Sequence, residues 1–249
     1  MKTNIKNHLI NGTMTCILSL LSLGTGCATA QSTSTNADTS ITAIDILLEP
    51  DATMIDHAEA VNARLRAVFP GGYALDAAHR PHISLYQCFV PTAILDQVFA
   101  TADKVLAAGN VTALKLEAFK YYYLPAGSIG LSGIVVKPTP ELLKLQSDLI
   151  AAVKPLTVET ATSAAFFTTP EHPDIHPELI PYVEVFATEH AGAHFVPHVS
   201  TGVATREYLD KMLAEPFDDF SFSPAGAAVY QLGDYGTAAK KLKDLNLNP

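Results

Sequence analysis

Two short frames in this chain match each other: Pro81-His82-Ile83-Ser84-Leu85 and Pro197-His198-Val199-Ser200-Thr201. Side chains alternate faces along a strand, so an imidazole and a hydroxyl two residues apart share one face at a spacing of about 7 Å. His82 pairs with Ser84 in this way, and His198 with Ser200. By composition alone, a frame with the leading proline and the central aliphatic residue arises roughly 0.03 times per chain. The frames lie 116 residues apart, and an amphipathic helical pattern follows each, over 92–107 and 205–214. The repetition implies an internal duplication, or two lobes related by a pseudo-twofold axis. The plain alternative is two histidines that cap strand ends and bond locally.

The surrounding pattern sets the fold class. Ile41–Leu48, Ile83–Val90, Val111–Tyr123 and Ile129–Val136 read as strands. Apolar residues at helical spacing (Ile55, Ala58, Val61, Leu65, Val68) predict a helix over 54–68, which Pro70-Gly71-Gly72 stops. A second helix covers 92–107 and a third 140–153, with Leu142, Leu145, Leu149 and Val153 on one stripe. Five prolines make 155–181 irregular and a long helix there improbable. A strand over Val183–Thr188, a strand over 198–203, one or two strands over 217–232 and a terminal helix over 236–245 complete the reading. Adjoining strands favour an α+β fold with antiparallel sheets, and the repeated frames arrange it as two pseudo-symmetric lobes with outer helices. Residues 41–249 form a single bilobal domain in this reading.

Composition removes several function classes. The formal charge is −9, so the chain lacks the basic footprint of a sequence-independent nucleic-acid binder. No GxGxxG follows a strand and no GxxxxGK[ST] is present, which argues against dinucleotide and nucleoside triphosphate cofactors. Mean hydropathy is +0.20 with 16% charged residues, which excludes a disordered acidic tail.

The paired frames resemble the two-histidine (2H) phosphoesterase superfamily, which includes the 2′-5′ RNA ligase-like proteins and cyclic phosphodiesterases. Its signature is two H-Φ-[ST]-Φ strands, one per lobe, facing each other across a cleft, so the resemblance implies an active-site cleft between the two lobes and makes 155–181 an insertion beyond the family core. Thr201 stands where the second frame would carry an aliphatic residue. The resemblance implies phosphodiester chemistry without a metal or other cofactor. One of His82 and His198 would take a proton and the other give one, in an order the sequence leaves open. Ser84 and Ser200 would hold nonbridging phosphate oxygens. Arg80, two residues before the first histidine, could bind phosphate bidentately or be an exposed strand-end charge. The segment Ala228–Gly233 resembles the late strand bordering the cleft in this superfamily, so Tyr230 or Gln231 would touch substrate. The expected partner is a small phosphodiester or nucleotide substrate and not a long nucleic acid, and the protein is expected to be a monomer.

Other constellations compete less well. Glu171-His172-Pro173-Asp174-Ile175-His176 offers metal ligands, but Pro173 and Pro177 deny it the helix that would bring both rings to one face. A solvated acidic loop fits it better. His190 and His194 read as loop or pocket-rim residues, and Tyr121-Tyr122-Tyr123 as strand packing or a stacking platform for a base. A non-catalytic ligand-binding protein of the same fold remains the rival from another class.

The chain begins as an exported protein would. Lys2 and Lys6 precede the apolar run Ile17–Leu23, and Ala28-Thr29-Ala30 follows, so 1–30 reads as a signal peptide and 31–40 as a flexible leader. Removing two lysines and no acids leaves 14 − 25 = −11 as the mature charge, with Cys88 the remaining cysteine. Periplasmic or secreted location follows. Cys27, preceded by small residues, offers a second route, in which lipidation would anchor the protein to a membrane. Protein from a bacterial host should therefore begin at Gln31 on N-terminal sequencing. A lipid-bearing Cys27 at the N-terminus would reject soluble export.

Overall fold

A computed structural model of the chain describes residues 39–170 and 173–247. The expected signal peptide, nearly all of the leader, Cys27, Glu171 and His172 lie outside the described residues.

Strand β1 (Ile41–Pro50) is buried along almost its whole length, as its near-continuous apolar run requires. Asp51 ends it and caps helix α1 (Ala52–Val68), with Oδ1 accepting from Met54 N and Oδ2 from Ser223 N. Then come β2 (Ile83–Pro91), α2 (Leu95–Ala108), β3 (Leu116–Ala126), β4 (Ile129–Val136) and α3 (Pro140–Val153). Thr139 caps α3, and Pro140 occupies a first-turn position that needs no N–H donor. Two short helices, α4 (Leu179–Glu184) and α5 (Phe186–Glu189), precede β5 (His198–Thr205). Helix α6 (Arg206–Leu213) and strands β6 (Phe220–Phe222), β7 (Pro224–Leu232) and β8 (Ala238–Asp244) complete the chain.

The strands form two four-stranded antiparallel sheets, in the orders β2-β1-β7-β8 and β5-β4-β3-β6. The fold is α+β, and the two histidine-bearing strands, β2 and β5, each lie at a sheet edge. One continuous core joins both sheets, drawing Ile44 and Ile46 from β1, Ile134 from β4, Val199 from β5 and Val229 from β7.

Several elements differ from the sequence reading. Residues 183–188 are helical, in α4 and α5, where Val183 and Phe186 turn inward at helical spacing. The expected terminal helix over 236–245 is instead strand β8, paired with β7. Its lysines, Lys240, Lys241 and Lys243, suit an edge strand, where charge discourages further pairing. Strand β3 starts at Leu116, because Asn110 takes a left-handed conformation and Val111–Ala113 form a 3-10 turn. Val68 is half exposed, so the inward stripe of α1 ends at Leu65.

The histidine strands share a local irregularity. Ser84 faces Leu47 while Tyr86 faces the adjacent Ile46, which leaves Leu85 as an extra residue in β2. In β5, Ser200 faces Gly133 and Gly202 faces Ser132, so Thr201 is extra. Each bulge thus falls immediately after the motif serine, and a bulge leaves a residue outside the ladder.

A buried carboxamide meets each bulge. Asn62 of α1 donates from Nδ2 to the Thr201 carbonyl at 2.9 Å and the Tyr73 carbonyl at 3.0 Å, and its Oδ1 accepts from Leu75 N at 3.2 Å. Gln146 of α3 donates to the Leu85 carbonyl at 3.2 Å and accepts from Gly192 N at 3.1 Å. The helix from the first half therefore holds the bulge of the second histidine strand, and the reverse. Gly202, at φ +132°, leaves room for this, since a Cβ there would lie 2.8 Å from Asn62 Nδ2.

Removing either carboxamide strands two or three buried backbone groups. Asn62→Ala and Gln146→Ala should each lower the unfolding free energy by about 2 to 3 kcal/mol in urea melts. A loss below about 0.5 kcal/mol would show that these bonds do not hold the bulges.

Candidate active site

The two motifs open onto one cavity of about 480 Å³, lined by His82, Ser84, His198 and Ser200 together with residues of the β3–β4 hairpin and of 176–197. His82 is 7% exposed and His198 is half-buried. Each histidine enters through its proline, and each Nδ1 is tied to the backbone carbonyl two residues earlier. His82 Nδ1 donates to Arg80 O at 2.6 Å and His198 Nδ1 to Val196 O at 2.8 Å. A carbonyl accepts only, so both Nδ1 atoms carry hydrogen, which leaves Nε2 of each ring for chemistry. Gly133, facing β5, keeps room for the second ring: a Cβ there would come within 3.3 Å of His198 Cδ2.

Beneath the motifs the symmetry ends. Asp45, fully buried in the middle of β1, has Oδ2 3.4 Å from His82 Nε2. The same oxygen accepts from Ser84 Oγ at 2.5 Å and from Gln87 Nε2 at 3.1 Å. Among the described residues, Asp45 Oδ1 has no hydrogen-bond partner. A buried carboxylate so incompletely satisfied is costly to stability, and its place beside a motif histidine supplies a reason to keep it.

Asp45 splits the two imidazoles. Burial by itself would depress His82, but the carboxylate of Asp45 facing its Nε2, aided by the Arg80 carbonyl and the charge of Glu49, raises its pKa above the ordinary 6.5. Burial dominates at His198 and holds it below 6.5; the charges of His82 and His190 add to this, and the Val196 carbonyl and Asp45 only partly resist. Between the two values His82 is an imidazolium and His198 a free base. A pair driven apart in this way defines an acid and a base.

The serines are also unequal. A hydroxyl has one proton to give, and Ser84 gives it to Asp45. No described residue takes the hydroxyl of Ser200, which lines the cavity. The expectation that both serines serve phosphate oxygens alike does not fit this arrangement: Ser200 is the available donor, and Ser84 supports Asp45.

Other residues singled out in the sequence fall on both sides of the boundary. Arg80 is exposed and does not line the cavity; its backbone pairs with Ala238. Tyr230 donates its hydroxyl to Glu49 and Gln231 donates to the Ala165 carbonyl, so neither reaches the cavity. Tyr122 does line it, with its ring centroid 5.2 Å from that of His198, whereas Tyr121 packs edge-on against Phe217 and Tyr123 bonds Asp210. His176, His190 and His194 stand along the wall. No group of three or more His, Cys, Asp or Glu side chains among the described residues is arranged to hold a metal ion. Asp45 escaped the sequence reading, although a lone acid inside ITAIDILL was a usable signal.

No family model matches the chain, and no curated protein matches it. The chain is similar to solved structures, and one at a TM-score above 0.5 shares its fold. The crystal structure of TT0787 of Thermus thermophilus aligns at a TM-score of 0.51 with 15% identity, covering 83% of this chain and 98% of that one. The structure of Kluyveromyces marxianus Usb1 aligns at a TM-score of 0.41 with 12% identity, covering 83% of this chain and 99% of that one.

Proton titration of the imidazoles by NMR should find one histidine above and one below the ordinary 6.5, assigned to His82 and His198 respectively. Asp45→Asn removes the charge that raises His82, so its midpoint should fall while the residue stays folded in place. An unmoved His82 midpoint would remove Asp45 from the account.

Proposed function

We propose that this chain, which has the two-histidine phosphoesterase fold, hydrolyses a small phosphodiester, such as a 2′,3′-cyclic nucleotide or an oligonucleotide end, by paired-histidine acid and base catalysis that needs no metal. The observation that carries the reading is the opposed pair in one cavity: His82 raised beside Asp45, and His198 lowered.

The step follows from these states. Neutral His198 accepts a proton from water through Nε2 as the water oxygen forms a bond to phosphorus. The bond from phosphorus to the departing ester oxygen breaks, and His82 gives that oxygen the proton on its Nε2. The distance of 3.4 Å to Asp45 is long for a hydrogen bond, so the His82 proton is held by charge more than by direction and stays transferable. Ser200 donates to a nonbridging oxygen, and the His82 imidazolium offsets charge growing on the phosphoryl group. Turnover leaves His82 neutral and His198 charged, and exchange with solvent restores both. Export to the periplasm belongs to the same proposal and rests on the N-terminal sequence.

His82→Ala and His198→Ala should each lose about 10² to 10⁴ in kcat. The rate should be bell-shaped in pH. A base must be neutral, so the acidic limb belongs to His198 and lies below 6.5; an acid must be protonated, so the basic limb belongs to His82 and lies above 6.5. Ser200→Ala should cost about 10- to 100-fold, as the loss of one charge-assisted bond. Excess chelator should leave the rate unchanged. Normal turnover by His82→Ala, or full loss in chelator, would overturn the mechanism.

A further inference from the structure

The wall facing the motif strands comes from the segment between α3 and β5, and its chemistry restricts what can bind. Leu179, Tyr182, Phe186 and Phe195 line the cavity, together with Tyr122 of β3 and Leu131 of β4. The aromatic wall is already ordered: Tyr182 stacks on His190 with centroids 4.1 Å apart and meets Phe186 edge-on at 6.0 Å. The apolar surface continues to the mouth, where Leu124 and Val196 are 36% and 48% exposed. No lysine or arginine is among the described residues that line the cavity. The acidic groups there are Asp45 beneath His82 and Glu178 on the rim. Burial keeps His190 below the ordinary 6.5 and the Tyr182 phenol up at about 12, so neither is charged at neutral pH.

Resting on the phosphoesterase reading, we infer that the cavity selects a phosphodiester with one negative charge and an aromatic or apolar ester arm, and rejects one that carries a second phosphate. The reacting phosphate meets Ser200 and the His82 imidazolium, and the Asp45 charge is balanced by that same imidazolium. A second phosphate entering the cavity would shed its water against aromatic rings and Glu178, with no lysine or arginine among the described lining residues to receive it. An aromatic arm instead gains contact with rings already held in place.

The test compares adenosine 2′,3′-cyclic phosphate with its 5′-phosphorylated counterpart on the full chain at pH 7. The extra phosphate should lower kcat/KM at least tenfold, chiefly through KM, and Glu178→Gln should narrow the gap. Tyr182→Ala should raise KM severalfold for the first compound, with Tyr182→Phe restoring it. Equal or better kcat/KM for the 5′-phosphorylated compound overturns the selection by charge, and an unchanged KM in Tyr182→Ala overturns the aromatic arm, each while the phosphoesterase reading stands. Turnover of neither compound overturns that reading instead. Calorimetric binding of the same pair then decides the inference, which tighter binding of the unphosphorylated compound supports and equal affinity overturns.

Discussion

The site depends on two buried carboxamides placed crosswise. Asn62 joins the bulge after Ser200 to the loop at 73–75, which leads toward His82. Gln146 joins the bulge after Ser84 to Gly192, which leads toward His198. Each amide thus binds one histidine strand to the approach of the other. A bulge needs a partner for its displaced backbone groups, and a buried amide without partners is expensive. The two needs meet only when the strands and helices sit in this relation.

On this nearly symmetric frame one residue breaks the symmetry. The motifs supply the same proline, imidazole and serine, and both Nδ1 atoms find a carbonyl two residues back. Left at that, burial would depress both imidazoles and leave two bases. Asp45 stands under His82, and no described carboxylate is hydrogen-bonded to Ser200 or ion-paired with His198. A single buried charge turns a duplicated frame into an acid and a base. It also commits the Ser84 proton, so the serine that looks equivalent in sequence does different work from Ser200.

The readable parts of the sequence were those governed by local period and by motif. Alternation placed His82 with Ser84 and His198 with Ser200, and helical spacing located α1, α2 and α3. The α+β class followed from adjoining strands. What local pattern could not carry was pairing across the chain. AAKKLKD has good helix formers, but β7 offered its free edge and the segment became β8. Arg80 was a plausible phosphate ligand by proximity, yet two residues along a strand end turned it to solvent. Asp45 acquired its meaning from β2, 39 residues away, which no window along β1 contains.

The division of labour between elements has a physical logic. The two motif imidazoles sit at the start of edge strands of two sheets locked by a shared core, where a ring is held within narrow limits. The facing wall sits on short helices α4 and α5 and the turns around them, with few long-range backbone bonds. Chemistry demands fixed distances, because proton transfer fails when a donor and acceptor separate. Recognition of an apolar arm demands only area and exclusion of water, which rings on a less regular segment can provide. Within the segment between α3 and β5, Gly192 and Val196 are tied to Gln146 and His198, whereas the wall side chains of Leu179, Tyr182 and Phe186 hold neither histidine in place, so recognition and proton transfer rest on different residues.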